Sequence, residues 1–498
     1  MTVALSDLLF ALLGAGFMLS ASKIVYAAFF SPLRHIPGPW YMAMSDFWLG
    51  THLLRFQQTS TAHELFNKYG PVVRVGPNKV LFCDAAAMRS VYVQGKFPKN
   101  PELYGKLDID GYDFSLTMAD NASHSVRRRA IGSHYYSILS QFQSQMHQIT
   151  QQLIKNLDAL SGREPVDCLL LLKNYMIDMV VVSTFGFELG ALQKWSVDAP
   201  ELISDAVSDY PKSSLMKLLV PSLLWKALCL FPNARWRRFT QPVKILKQFV
   251  VARIAELPQI DDKKVSDAST LVERLLKHLD TPNSGLDMDN LVMETVAHFI
   301  AGTETSSITL SYLLWQLTCS PEVTEKLQRE LDEAMPDPHV IPDIGVLQEL
   351  PYLDACIQEG LRVHGAVTPL LERVVPPGSD FQLLGYSIPG GTVVATQAWS
   401  IHRDPRAFPS PERFDPERWL KNDPQCAAHF MPFGLGTRVC SGQPLAQTTL
   451  RLATAALVRN FILRADRTTT KESMTVWHGF SNFPASGQCK LVFSPRTS

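Results

Sequence analysis

The stretch HFMPFGLGTRVCSGQPLAQTTLRL, residues 429–452, sets one thiol in a glycine-rich turn ahead of a helix-forming run. A single cysteine is more often an inert buried side chain than a ligand. The surroundings of Cys440 change that weighting. A thiol binds metal as the thiolate, and a thiolate needs local positive potential. A helix beginning near Gly442 would turn its free N–H groups and the positive end of its dipole toward the sulfur. Gly434, Gly436 and Gly442 allow tight turns and close approach of backbone to something flat. Phe433 can shield the sulfur from water, and Arg438 can neutralise an anionic group beside it. One thiolate, one open face and a nearby cation suit haem iron with an axial cysteine, a pairing that favours O–O cleavage.

The rest of the chain is compatible with that chemistry. Its 498 residues are 46% hydrophobic and can enclose a large core. Length alone would suggest two to four domains. Lys plus Arg equals Asp plus Glu, 47 against 47, so the basic excess of a nucleic-acid binder is missing. The cysteines at 83, 168, 229, 319, 356, 426, 440 and 489 form no C-x-x-C. Neither a zinc site nor a small disulfide framework is suggested, and dispersed thiols fit a reducing compartment.

From Leu8 to Phe30 the chain is apolar apart from Lys23 and a few serines. About 20 apolar residues make a helix of roughly 30 Å, enough to cross a bilayer. Pro32, Pro37 and Pro39 of SPLRHIPGPW stiffen its exit. Asp7 before the span and Arg34 and His35 after it place the downstream chain in the cytoplasm. Lys23 leaves a tilted or interfacial helix as the alternative. A cleaved signal peptide fits less well, because the run is long and no cleavage site stands out.

Beyond Trp40 the pattern is mainly helical, with small sheets and a single domain. Helices are expected at Thr61–Tyr69, Ala122–Ser137, Gln143–Leu160, Leu169–Thr184, Asp289–Ser320, Pro321–Ala334, Tyr352–Val363 and Pro444–Phe461. Strands are expected at Val72–Val75, Lys79–Phe82, Phe381–Leu384, Thr392–Thr396 and Cys489–Phe493. The long proline-rich loop Ile401–Leu435 reads as functional. Residues 212–239 mix Leu, Trp and Phe with Lys and Arg. They suit either a core-facing amphipathic helix pair or a basic apolar surface dipping into a membrane.

The run FGLGTRVCSG, residues 433–442, resembles the haem-binding signature F-x-x-G-x-R-x-C-x-G of the cytochrome P-450 monooxygenases. The likeness extends from HIPGPW to the last strand. It implies the family's mainly helical fold behind an N-terminal anchor, with residues 1–30 as the anchor and 31–498 as the haem-thiolate domain. Ala301-Gly302-Thr303-Glu304-Thr305 resembles A-G-x-[DE]-T. There Glu304 and Thr305 would relay protons, Ala301 would pass close to the haem, and local helix distortion would leave room for O2. The plainer reading of Thr305 is a hydroxyl bonded back to the Ala301 carbonyl. Glu359 and Arg362 match E-x-x-R. FDPERW, residues 414–419, offers Arg418 as the third partner, with Arg413 as the competitor. His124 and Arg128 resemble W-x-x-x-R with His in place of Trp. With Arg373 and Arg438 they would hold the haem propionates. Arg127 and Arg129 read as solvated charge or as a docking surface. His364, Gly365 and Ala366 stand where the family often has a proline pair, which predicts a less rigid loop.

The resemblance implies haem b, O2 as co-substrate, and NADPH electrons from a separate FAD/FMN reductase, with cytochrome b5 as a further donor. It implies a single-pass endoplasmic reticulum protein facing the cytoplasm. The likeness to fungal microsomal members implies secondary metabolism, with a polyketide, terpenoid or alkaloid substrate. Ala297, Ile300, Val367, Leu370 and Phe480 are the pocket candidates, so an apolar substrate is expected. Hydroxylation or epoxidation is the leading reaction. Oxidative coupling, desaturation or rearrangement without oxygen insertion is the alternative. A non-enzymatic haem sensor is a third reading, disfavoured by an intact Glu304–Thr305 pair.

Overall fold

A computed structural model describes residues 20–132, 134–197, 202–257, 270–279, 286–379 and 381–496, with Gly14 and Met18 ahead of them. The first half of the expected span Leu8–Phe30, up to residue 19 and apart from Gly14 and Met18, lies outside the described residues. Its described end is helical from Ser20, and Tyr26, Phe29 and Phe30 are exposed there. Buried Arg74 ties this end down: its guanidinium donates to the Ala27 carbonyl at 2.9 Å and to Ser31 Oγ at 3.3 Å.

The principal helices, in chain order, are α1 Gln58–Tyr69, α2 Asn121–Ile131, α3 His134–Gln141, α4 Gln143–Leu160, α5 Cys168–Phe185, α6 Leu202–Leu219, α7 Ser222–Cys229 and α8 Ala234–Thr240. They continue with α9 Pro242–Glu256, α10 Met288–Thr318, α11 Pro321–Ala334, α12 Pro351–His364 and α13 Gln443–Asn460. The expected helix Ala122–Ser137 is broken in two. Gly132 takes φ +57° and closes α2, and α3 then starts at His134.

The 31-residue α10 runs through the core and packs along α5. Its start is fixed by Asp287, whose carboxylate accepts from the Asn290 N–H at 2.7 Å. Gly302 permits close contact, since a Cβ there would meet Val180 at 2.9 Å. Helix α10 is continuous through Thr305, so the expected local distortion is not present. The Thr305 hydroxyl shares the Ala301 carbonyl at 2.8 Å and opens no wedge. Among the described residues, α5 is the only helix long and apolar enough to cross a membrane, and it is a core helix, 89% buried.

Four strands form the main sheet in the order β1-β2-β7-β4: β1 Val72–Gly76, β2 Lys79–Phe82, β7 Val393–Ala395 and β4 Arg373–Val374. Strands β5 Phe381–Leu383 and β6 Tyr386–Ile388 form a hairpin. A three-stranded sheet has the order β3-β11-β8, from Val166–Asp167, Lys490–Pro495 and Phe461–Ala465. Strands β9 Val476–His478 and β10 Asn482–Pro484 pair beside it in sequence. One apolar cluster fills the helical lobe, and two smaller ones line the main sheet.

Residues 212–239 are not a buried helix pair. Leu223 is 81% exposed and Leu230 82%, with Leu224 and Phe231 also open. The core-facing reading therefore fails over α7 and the turn after it.

Candidate active site

The turn before α13 is built on backbone constraints. Gly436 has φ +68°, and a Cβ there would sit 2.1 Å from the Tyr92 carbonyl oxygen, so only glycine fits. The Cys440 N–H donates to the Phe433 carbonyl at 2.9 Å and closes the turn. The N–H groups of Gly442 and Gln443, at the start of α13, point at the Cys440 sulfur. Burial pushes the thiol above its ordinary value, while the Gly442 N–H, the Arg128 charge and the Gln443 N–H act the other way. Even so, Cys440 keeps accessible surface.

Ala301 is exposed in the middle of α10, although most of that helix is buried. Ala297 and Thr305, one turn to either side, share its face. Ala297 and Ile300 are nearly buried in the helical core, and Phe480 is partly open. Val367 keeps surface. Leu370 packs with Val73, Val75, Leu81 and Ala395 in the core of the main sheet, which leaves little of it for a pocket wall.

A cluster of cations carries most of the electrostatic signal. Arg373 on β4 bridges to Lys99, which places the two side chains as neighbours. Lys99 is buried, stacks over Tyr104 at 4.6 Å and donates to the Leu116 carbonyl. Its pKa falls to about 6, first through burial and then through Arg373 and Arg438. His124 is buried and driven to about 3 by burial, Arg438, Lys99 and Arg128. Among the described residues, none of Lys99, Arg128, Arg373 and Arg438 has a carboxylate within ion-pair distance. Buried Arg373 and half-buried Arg128 and Arg438, beside a lysine and a histidine whose protons burial and these charges drive off, suit an anionic guest. The donor set fits haem: a thiol under two N–H groups, and cations for two propionates.

Arg438 is largely taken up by protein. It donates to the carbonyls of Met118, Ala119 and Asp120 at 2.8–3.1 Å and to Asn121 Oδ1. It thus clamps the segment leading into α2, which carries His124 and Arg128. Arg127 is not solvated charge. It is buried and pairs with Glu294 of α10 at 3.0 Å, so the docking-surface reading fails for it as well. Arg129 is exposed.

Glu304 is nearly buried and faces Lys173 of α5, Nζ to Oε2 3.1 Å. The ammonium is aimed at Ser208 Oγ, which leaves Glu304 Oε2 in charge contact without an aligned hydrogen bond.

Glu359 is fully buried and takes bonds from Arg362 at 2.8 Å through both oxygens. Arg418 Nε donates to it at 3.0 Å, Trp419 Nε1 at 2.9 Å and the Asp415 N–H at 2.9 Å. Arg413 contributes its carbonyl to Arg362 at 3.2 Å, while its side chain stays outside.

The loop after α12 is tied down rather than loose. His364 stacks on Tyr312 with centroids 4.7 Å apart, and burial drives it to about 3, neutral. Asn482 donates to the Gly365 carbonyl at 2.7 Å and accepts from Thr368 at 2.8 Å. These polar ties replace the rigidity that prolines would supply.

Lys99, Lys173 and the Arg127–Glu294 pair escaped the sequence reading. Neither lysine lies in a recognisable motif, Arg127 falls between the motif positions His124 and Arg128, and each acquires its partner only through the fold.

The cytochrome P450 family model matches residues 35–491. Cytochrome P450 monooxygenase stcB of Emericella nidulans is 29% identical over 491 residues, 95% of this chain and 91% of its own length. Cytochrome P450 monooxygenase orf2 of Aspergillus niger is 30% identical over 462 residues, 90% of each chain. Tryprostatin B 6-hydroxylase of Aspergillus fumigatus is 27% identical over 464 residues, 90% of this chain and 78% of its own.

Proposed function

Since the chain belongs to the cytochrome P450 family and is a haem-thiolate monooxygenase using O2, we propose that it oxidises an apolar small molecule of fungal secondary metabolism with NADPH electrons from a separate flavin reductase. Cytochrome b5 is a second candidate donor. The observation that carries the site is the largely buried basic cluster with no carboxylate at ion-pair distance among the described residues, on the elements that flank the Cys440 turn. Its relatives include named hydroxylases and monooxygenases, so the sensor reading is set aside.

Cys440 would hold the haem iron, and Lys99, His124, Arg128 and Arg373 would receive the propionates, with Arg438 adding charge and fixing the loop. Bound there, haem supplies O2 binding and the redox chemistry that splits it. The protein's part is placement and protons. Ala301 leaves room beside α10. Thr305 Oγ1, now donating to the Ala301 carbonyl, turns to hold a proton donor at the reacting oxygen. Glu304 passes protons inward, and Lys173 fixes its carboxylate. Ala297, Ile300, Val367 and Phe480 orient the substrate and exclude water, while Glu359, Arg362 and Arg418 lock the proline-rich loop to α12.

The catalytic domain, residues 31–498, sits on the cytoplasmic face of the endoplasmic reticulum, anchored by residues 1–30. Support comes from the apolar surface of Leu223, Leu224, Leu230 and Phe231 and from exposed Trp40, Phe47 and Trp48 near the anchor. Incubation of membranes with reductase, NADPH, labelled O2 and a metabolite extract tests the reading. A product heavier by one labelled oxygen is expected. Products that lose hydrogen and carry no label would instead favour the coupling or desaturation alternative.

A further inference from the structure

Two of the cysteines that lie 321 positions apart in the chain meet in the fold. Strands β3 and β11 pair antiparallel with Val166 opposite Leu491 and Asp167 opposite Lys490. The next step of that register sets Cys168 opposite Cys489. The Cys168 N–H donates to the Cys489 carbonyl at 2.7 Å. The return bond is not made, because the Cys489 N–H goes to Asp167 Oδ1 at 3.0 Å as β3 gives way to α5. Both side chains are fully buried and their thiols are neighbours, each donating to a carbonyl, Cys168 to Val166 at 3.9 Å and Cys489 to Ser311 at 3.6 Å. Directly opposed residues on antiparallel strands hold their Cβ atoms about 4.5–5.5 Å apart, and a disulfide needs about 3.5–4.5 Å. A pair held by one ladder bond at a strand end can close that gap with a small shift.

We propose that Cys168 and Cys489 are an oxidisable dithiol whose disulfide latches the C-terminal strand to the start of α5. With hydrogen peroxide as oxidant the step balances. One sulfur attacks the peroxide, an S–O bond forms, the O–O bond breaks, and water leaves. The second sulfur displaces the sulfenic oxygen, an S–S bond forms, and a second water leaves. The two thiols give up two electrons to the peroxide, and their protons end in water. Opening of β11 away from β3 is the route by which oxidant reaches the pair. Closing the latch also removes a contact with the catalytic helix, since Cys489 Sγ now points at the Ser311 carbonyl of α10 at 3.6 Å.

The test uses the haem-loaded full chain, first reduced with dithiothreitol, then treated with hydrogen peroxide, and alkylated during unfolding. Accessible thiols should fall from eight to six. Proteolysis should yield one linked peptide joining 168 to 489. The thermal midpoint should rise by a few degrees and return with dithiothreitol. Cys489→Ser should lose both the linked peptide and the shift. Oxidation confined to other cysteines, with 168 and 489 both alkylated, would overturn the dithiol. A linked peptide with an unchanged midpoint would overturn the latch. Peptide mapping of the unmutated protein decides the first point even if the variant folds poorly.

Discussion

Lys173 Nζ lies 3.1 Å from Glu304 Oε2 across the interface of α5 and α10, with both side chains nearly buried. The pair sets a carboxylate one residue from Thr305, in a helix most of which is buried. Without its cation, a buried carboxylate loses the partner that orients and compensates it.

Lys173→Met should therefore leave the Glu304 carboxylate without the cation that holds it and slow proton delivery. The expected outcome is a fall in turnover of about tenfold or more, on the scale of a lost general acid–base group, with less product per NADPH. The carbon monoxide spectrum should be unchanged. Glu304→Gln should give the same pattern, and the double variant should be no worse than either single one. Additive losses would show that the two residues act separately.

Glu359 collects two arginines, an indole N–H and a backbone N–H in a fully buried place. Glu359→Ala should cost on the order of 3–5 kcal/mol, because it leaves buried charge uncompensated. Arg418→Ala should lower the thermal midpoint clearly. Arg413→Ala should barely change it, since only the Arg413 carbonyl is used and its side chain is exposed.

Much of this frame was legible before the fold was known. Helices α4 and α11 begin and end where the pattern placed them, because their apolar stripes are regular and, for α11, Pro321 marks the start. The resemblance of FDPERW to the family pattern points to Arg418 over Arg413, and Arg418 is the one whose side chain reaches Glu359. Between 202 and 256 the sequence offered only a helix pair within 212–239, as one of two readings: Pro211 lies inside α6 and reads as a breaker, and the apolar residues of α7 face outward. The cation cluster was half legible. Arg373 and Arg128 come with motifs, whereas Lys99 gains meaning only from its bridge to β4.

Lys99 supplies a pH dependence with a definite sign. Its pKa of about 6 lies below the ordinary lysine value, so above pH 6 it is neutral in the haem-free fold. Unfolded chain binds that proton up to about pH 10.4, so the haem-free fold gains stability as pH rises through this window. A propionate restores the charge, so haem binding takes up a proton. Haem affinity should fall as pH rises from 6 toward 9, measured by transfer to a haem scavenger. Lys99→Met should bind haem more weakly and flatten that slope. An unaltered slope would remove Lys99 from the propionate set.

Leu223, Leu230 and Phe231 form an apolar surface independent of the anchor. A protein lacking residues 1–30 should still sediment with lipid vesicles. Leu230→Asp combined with Phe231→Asp should abolish that association and leave the spectrum of the bound haem intact. Full release by the truncation alone would contradict the second contact.

The central claim is that the Cys440 sulfur holds iron beneath the N–H groups of Gly442 and Gln443. Reduction of the purified, haem-loaded protein under carbon monoxide tests it most directly. The account predicts a Soret band at about 450 nm, the mark of thiolate ligation, and its loss in Cys440→Ala. A folded, fully loaded protein that never shows that band, or a Cys440→Ala variant that keeps it, would contradict the account.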